Sequence, residues 1–152
     1  MNIFDNIKKN NNATALITEN LKKITYNDLI KKSNLIASHI SSRCLVLIIS
    51  KNCEEFLYGY LGFLRAKIVS CLINEPVKPL YIENLINNYK PSYAYIPKKY
   101  KSFFNDLRTV ARLGDYLLIQ LNKNNEKTID DKIALLLGTS GSTGNPKLIK
   151  LS

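Results

Sequence analysis

Short uninterrupted apolar runs alternate along this chain with stretches in which apolar residues recur every three or four positions. "CLVLIIS" (Cys44 to Ser50), "IVSCLI" (Ile68 to Ile73), "SYAYIP" (Ser92 to Pro97), "YLLIQL" (Tyr116 to Leu121) and "IALLLG" (Ile133 to Gly138) offer apolar side chains to both faces of an extended backbone. That is the pattern of strands covered on both sides. Between them, Leu29, Ile30, Leu35, Ile36, Ala37 and Ile40 share one side of a helix that leaves Lys31 and Lys32 outside, with Asn27 or Asp28 as its cap. "CEEFLYGYLGFLRA" and "PLYIENLINNY" predict two more helices, the second with Pro79 in its first turn, where an N–H would have no intrahelical partner. A short polar helix is expected near Tyr100 to Leu107. "ATALIT" (Ala13 to Thr18) and "KKITY" (Lys22 to Tyr26), parted by Glu19 and Asn20, predict an opening hairpin, and "NKNNEKTIDD" a solvated loop. Repeated strand–helix alternation predicts an α/β fold, layered, with a mostly parallel sheet and flanking helices.

Composition narrows the picture. The chain has 152 residues, 45% of them hydrophobic, enough for one core, and no internal repeat divides it, so residues 1–152 are expected to form one unit. A net charge of +10 raises a nucleic-acid or anionic-membrane partner. The cations are mostly Lys and are spread along the chain, while Arg, the residue suited to bidentate contacts, occurs only at positions 43, 65, 108 and 112. The reading is therefore no nucleic acid. Cys44, Cys53 and Cys71 are odd in number and lack C-x-x-C spacing, which suggests neither disulfides nor a zinc site; Cys44 and Cys71 each lead an apolar run and are expected to be buried thiols in a reducing cytosol. "MNIFDNIKKNNN" has no apolar signal stretch and no segment reaches the roughly 18 apolar residues of a membrane span. A cytoplasmic protein with no membrane span is expected.

The candidate chemistry lies in "LLLGTSGSTGNPKLIKLS" (Leu135 to Ser152). Gly138, Gly141 and Gly144 recur every third residue and allow positive φ and close approach of backbone N–H groups to a ligand. Thr139, Ser140, Ser142 and Thr143 add four hydroxyls, and Lys147 adds a mobile positive charge. Together they make a polyphosphate cradle, placed after a buried strand where open α/β sheets bind ligands. Other motifs fail on the letters. A Walker loop needs Gly before its Lys and Ser or Thr after it, whereas Pro146 and Leu148 flank Lys147. A nucleophile elbow fails because "GTSGS" ends in Ser142, and the lone His39 lies far upstream, where it reads as a surface residue.

"TSGSTGNPK" (Thr139 to Lys147) resembles the signature phosphate loop of the adenylate-forming enzymes, the superfamily of acyl-CoA synthetases, peptide-synthetase adenylation domains and luciferases. Upstream, "ITYNDL" (Ile24 to Leu29) is similar to the family's early TY-x-x-L segment, and "NCEEFLYGYLGFLRAKIVSCLINEP" (Asn52 to Pro76) to its first helix–strand unit. The resemblance implies the first part of a large N-terminal adenylation domain. It implies condensation of a carboxylic acid with ATP to an acyl-adenylate and pyrophosphate, then transfer to a thiol acceptor, either CoA or a carrier-protein pantetheine. Carried over, Thr139, Ser140, Gly141, Ser142, Thr143 and Gly144 would hold the β- and γ-phosphates, and Lys147 would offset their charge. Mg2+ would be bound mainly through the phosphates. Leu148 and Lys67 stand where many relatives have Gly. The adenine, ribose, acyl and hinge residues of the family lie downstream of this loop, so the chain reads as a partial N-terminal domain without a C-terminal domain, inactive alone. The alternative is a non-catalytic remnant or a module that binds phosphate ligands, completing a partner chain.

Overall fold

The computed structural model describes residues 11–122, 129–139 and 147–151. The expected hairpin opens it. Strands β1 (Thr14–Ile17) and β2 (Lys23–Thr25) pair antiparallel as a separate two-stranded sheet. Its turn is closed by Thr18 N–H donating to the Lys22 carbonyl (3.0 Å) and Leu21 N–H to the Thr18 carbonyl (2.9 Å), with Leu21 at φ 59°.

Helix α1 (Tyr26–Ala37) starts two or three residues earlier than the expected caps imply. Its cap is Thr25, not Asn27 or Asp28: the Thr25 Oγ1 accepts from the Asp28 N–H at 3.1 Å and donates to the Asp28 carboxylate at 2.8 Å. This reciprocal pair satisfies a donor that the first turn would otherwise leave free, and it holds the Asp28 carboxyl below its ordinary pKa. Strand β3 (Leu45–Ser50), helix α2 (Glu54–Arg65), strand β4 (Val69–Asn74), helix α3 (Pro79–Tyr89) and strand β5 (Tyr93–Pro97) follow, with Pro79 in the first turn of α3. A 3₁₀ segment, Lys98–Phe104, replaces the expected short helix. Then come strands β6 (Thr109–Leu113), β7 (Tyr116–Gln120), β8 (Leu135–Thr139) and β9 (Lys147–Leu151).

Seven of the strands form one sheet in the order β6-β7-β5-β3-β4-β8-β9. Its centre, β5-β3-β4-β8, is parallel throughout, as the buried apolar runs imply. Its margins are antiparallel: β7 pairs with β5 and β6, and β9 with β8. Neither β6 nor β9 was legible as a strand, because "TVARL" and "KLIKL" mix apolar and charged residues as half-exposed strands do.

Alternation along the central strands divides the core into two layers. Leu45, Leu47 and Ile49 of β3 join Val69, Cys71 and Ile73 of β4 and Ala94 and Ile96 of β5 beneath Ile82 and Leu85 of α3 and Tyr100 and Phe104 of the 3₁₀ segment. Val46, Ile48, Tyr95, Tyr116 and Leu118 meet Ile36 and Ala37 of α1 and Phe63 of α2 on the other face. Ile24, Leu29 and Tyr58 form a smaller cluster that seats the hairpin on α1 and α2. Each fully buried Leu, Ile or Phe contributes about 1.5–3 kcal/mol. Leu35, expected on the buried side, is 55% exposed; the helix turns Ser33 inward instead. Cys44 and Cys71 are buried as expected, and desolvation pushes their thiols up to about 11 and about 12, so both stay protonated and unreactive at neutral pH. His39 is exposed just past α1.

Helix α2 ends in a Schellman motif. Lys67 N–H donates to the Leu64 carbonyl (3.2 Å), Ile68 N–H to the Phe63 carbonyl (2.9 Å), and Ile68 and Phe63 share one core cluster. Lys67 takes the left-handed position at φ 57°, where Gly is favoured. Lys67 there is thus strained by about 1 kcal/mol relative to Gly. Lys67→Gly is expected to raise stability by about 0.5–1 kcal/mol, read as a higher urea midpoint with an unchanged slope. A lower midpoint would show that the Lys67 side chain contributes more than its backbone strain removes.

Candidate functional site

Because β5, β3, β4 and β8 are parallel, their carboxyl ends fall along one edge, at Pro97, Ser50, Asn74 and Thr139. Of the residues expected to cradle phosphates, Thr139 is the last residue of β8 and Lys147 the first of β9, and the two are register partners. The ends of the Gly/Ser/Thr run are therefore held side by side at the carboxyl edge of the sheet, where open α/β sheets commonly bind ligands. Ser140, Gly141, Ser142, Thr143 and Gly144 lie outside the described residues.

Gly138 serves a different purpose from the one its spacing suggests. It sits within β8 with no positive φ, and a Cβ there would stand 2.8 Å from Ile73 Cγ2, 3.2 Å from the Leu72 carbonyl and 3.2 Å from the Tyr81 hydroxyl. Its small size lets β8 close onto β4 and α3. Leu148, its partner in β9, is half-buried against the main core, an extended strand residue that adds apolar packing.

The same edge carries polar residues that the sequence reading missed. Ser50 Oγ donates to Asn74 Oδ1 (2.6 Å) across the ends of β3 and β4. Glu75, which follows β4 and precedes a cis Pro76, receives Lys99 Nζ at 2.7 Å and the Tyr100 hydroxyl at 3.5 Å, while Lys99 Nζ lies 5.0 Å from the centre of the Tyr100 ring. The hydrogen bond to Glu75 holds the Lys99 ammonium above its ordinary pKa. Their signal in the sequence was positional only: each stands at a strand end or within three residues after it. Lys51 and Lys78 stand in the connections at this edge, and α3 begins there with no acidic residue in its first turn, so the helix dipole adds to the positive field. A groove of about 610 Å³ also opens at this edge, lined by Leu16, Ile17, Lys51, Cys53, Phe56 and Leu57. It is formed between the hairpin and the connection from β3 into α2.

Among the described residues, no three His, Cys, Asp or Glu side chains gather where they could hold a metal ion, and no helix is long and apolar enough to cross a membrane.

Comparison with known proteins agrees with this architecture. Bacitracin synthase 3 of Bacillus licheniformis is 25% identical over 154 residues, which take in 95% of this chain and 2% of that protein. The N-terminal subdomain of Klebsiella oxytoca NpsA, solved in complex with 3-hydroxybenzoyl-AMSN, superposes with a TM-score of 0.66 at 24% identity over 99% of this chain and 40% of that one. O-succinylbenzoate coenzyme A synthetase (MenE) from Bacillus subtilis, in complex with AMP, gives a TM-score of 0.69 at 16% identity over 98% of this chain and 41% of its own. This chain thus spans well under half the length of these relatives. The family model described as AMP-binding enzyme matches residues 3–152, nearly the whole sequence. By that match, and with the fold and the strand-end position of Thr139 and Lys147 in accord, the chain belongs to the AMP-binding enzyme family.

Proposed function

We propose that this chain contributes the polyphosphate-binding part of an adenylate-forming ligase. In this reading a carboxylic acid attacks the α-phosphorus of ATP, an acyl-adenylate forms and pyrophosphate departs. The acyl group then passes to a thiol, that of CoA or of a carrier-protein pantetheine. The observation that carries the proposal is the family match over residues 3–152. The strand pairing supports it, because it brings Thr139 and Lys147 together at the carboxyl edge of a parallel sheet. Residues 1–152 are read as part of an N-terminal adenylation domain in a cytoplasmic protein.

The donor set fits the group it is proposed to hold. Thr139, Ser140, Ser142 and Thr143 supply hydroxyls, Gly141 and Gly144 leave backbone N–H groups open to approach, and none of Thr139 to Lys147 is acidic. Lys147 supplies positive charge as charge builds on the departing pyrophosphate, an electrostatic role. Mg2+, when bound with ATP, would neutralise part of the phosphate charge and would be held through phosphate oxygens, the usual manner for this ion.

The test is ATP–pyrophosphate exchange with a panel of carboxylic acids, measured on the longest natural polypeptide that carries these residues. Exchange that depends on one of the acids is expected, and replacing Thr139 to Lys147 with an Ala/Gly segment is expected to abolish it. Exchange that survives the replacement would remove the loop from the reaction.

A further inference from the structure

We propose that Arg43 is the positioning residue of strand β8: its guanidinium, rather than the side-chain pattern of the strand, fixes where β8 enters the sheet and hence where Thr139 falls at the carboxyl edge. The pattern by itself is permissive. Side chains of a strand alternate between faces, so register is well specified only where a one-residue slip would exchange apolar for polar positions. The three residues of β8 paired with β4 are Leu135, Leu136 and Leu137, and a slip by one puts leucine in place of leucine at two of the three.

Arg43 supplies a reference point. It precedes β3, and its side chain reaches across the amino edge of the sheet. Nη1 donates to the Lys67 carbonyl (2.7 Å) at the entry to β4, and Nη2 to the Asp130 (3.0 Å) and Ile133 (2.7 Å) carbonyls at the entry to β8. Lys67 and Ile133 stand just ahead of Ser70 and Leu135, which are register partners, so one planar fork locates both strands from the same point. The turn it grips is itself fixed, because Ile133 N–H donates to the Asp130 carbonyl (3.0 Å) and Lys132 N–H to Asp130 Oδ1 (3.0 Å). Carbonyls, not a charge partner, hold the guanidinium: the Asp131 side chain is 98% exposed and its Oδ1 lies 3.6 Å from Nε, too far for a hydrogen bond. A slip by one residue would carry Thr139 about 3.3 Å along the strand direction. The bearing of that shift on phosphate binding rests on the proposed function; the seating of β8 does not, and it is tested apart from activity.

The test is amide hydrogen exchange and cross-strand nuclear Overhauser contacts, measured by NMR on this chain. In Arg43→Ala the Ala134 N–H, which donates to the Leu151 carbonyl (2.9 Å), is expected to exchange about 10- to 100-fold faster, as loss of one or two charge-assisted hydrogen bonds allows. The Ser70–Leu135 and Cys71–Leu136 contacts should be joined by contacts displaced by one residue. The Ser92 N–H, which donates to the Leu45 carbonyl (2.9 Å) at the same edge, and the Val46–Tyr93 contact should be unaffected. Arg43→Lys keeps the charge without the fork and should restore neither property, and Asp131→Asn should change nothing. Native exchange and contacts in Arg43→Ala would overturn the inference and leave the register to the close approach at Gly138. Full recovery in Arg43→Lys would overturn it by making charge the cause. Loss of the β3–β5 contacts together with the β4–β8 contacts would also overturn it, since Arg43 would then stabilise the whole sheet rather than position one strand.

Discussion

Lys147→Ala is expected to slow ATP–pyrophosphate exchange by about 10- to 1000-fold, as loss of one charged contact to a developing transition state commonly does. The reason is local. Lys147 opens β9 opposite Thr139, so its backbone is anchored by the strand pairing next to the Gly/Ser/Thr run, at the edge where the parallel strands end. Ser140→Ala should lose much less, because three other hydroxyls and the backbone N–H groups remain. Neither change should alter the fold, since β9 is an edge strand and a loop contributes little burial. Steady-state exchange at saturating ATP, with circular dichroism as the control for folding, separates the two effects. Wild-type exchange in the Lys147 variant would take that residue out of the mechanism.

Gly59→Ala is expected to destabilise the fold by about 1–3 kcal/mol, although Ala is the better helix former by about 0.8–1.0 kcal/mol. A Cβ on Gly59 would overlap the Tyr95 ring. That ring has little freedom to retreat: it is fully buried, packs edge-on to Phe63 (5.6 Å, 89°), lies 4.7 Å from Tyr116, and its hydroxyl is committed to the Glu55 carbonyl. The unfolding temperature should fall by roughly 3–10 °C. Gly62→Ala should behave alike, since its Cβ would overlap the Ser33 backbone carbonyl where α1 meets α2. An unchanged unfolding temperature for Gly59→Ala would mean that Tyr95 can repack.

The two glycines show why the sequence reading could find α2 without seeing what sets its distance from the sheet. Periodicity in "CEEFLYGYLGFLRA" marks a helix, but a glycine inside it is locally a weakness. Only when Tyr95 and Ser33 are brought up from distant parts of the chain does each glycine acquire its reason. Gly138 is the same case nearer the site. Its place in the G-x-x-G-x-x-G spacing suggested ligand approach, yet its closest neighbours are Ile73, Leu72 and Tyr81. The groups around Glu75 were hidden for a related reason: a single Glu after β4 and a Lys-Tyr pair after β5 carry no pattern until the ends of those two strands are brought to the same edge of the sheet, on either side of β3.

By itself the sequence determined the layered α/β class, the central strands, the three helices, the opening hairpin and the family, because each rests on local periodicity or on one contiguous motif. Burial on both faces writes an unbroken apolar run, and the motif that carries the family resemblance lies in nine successive residues from Thr139 to Lys147. The tertiary structure alone decided the strand order, the antiparallel margins at β6-β7 and β9, and the meeting of Tyr81 with Gly138. Those features depend on which remote segments pack together. Packing of that kind leaves no local periodicity in a chain whose edge strands, half wet and half dry, look like loops.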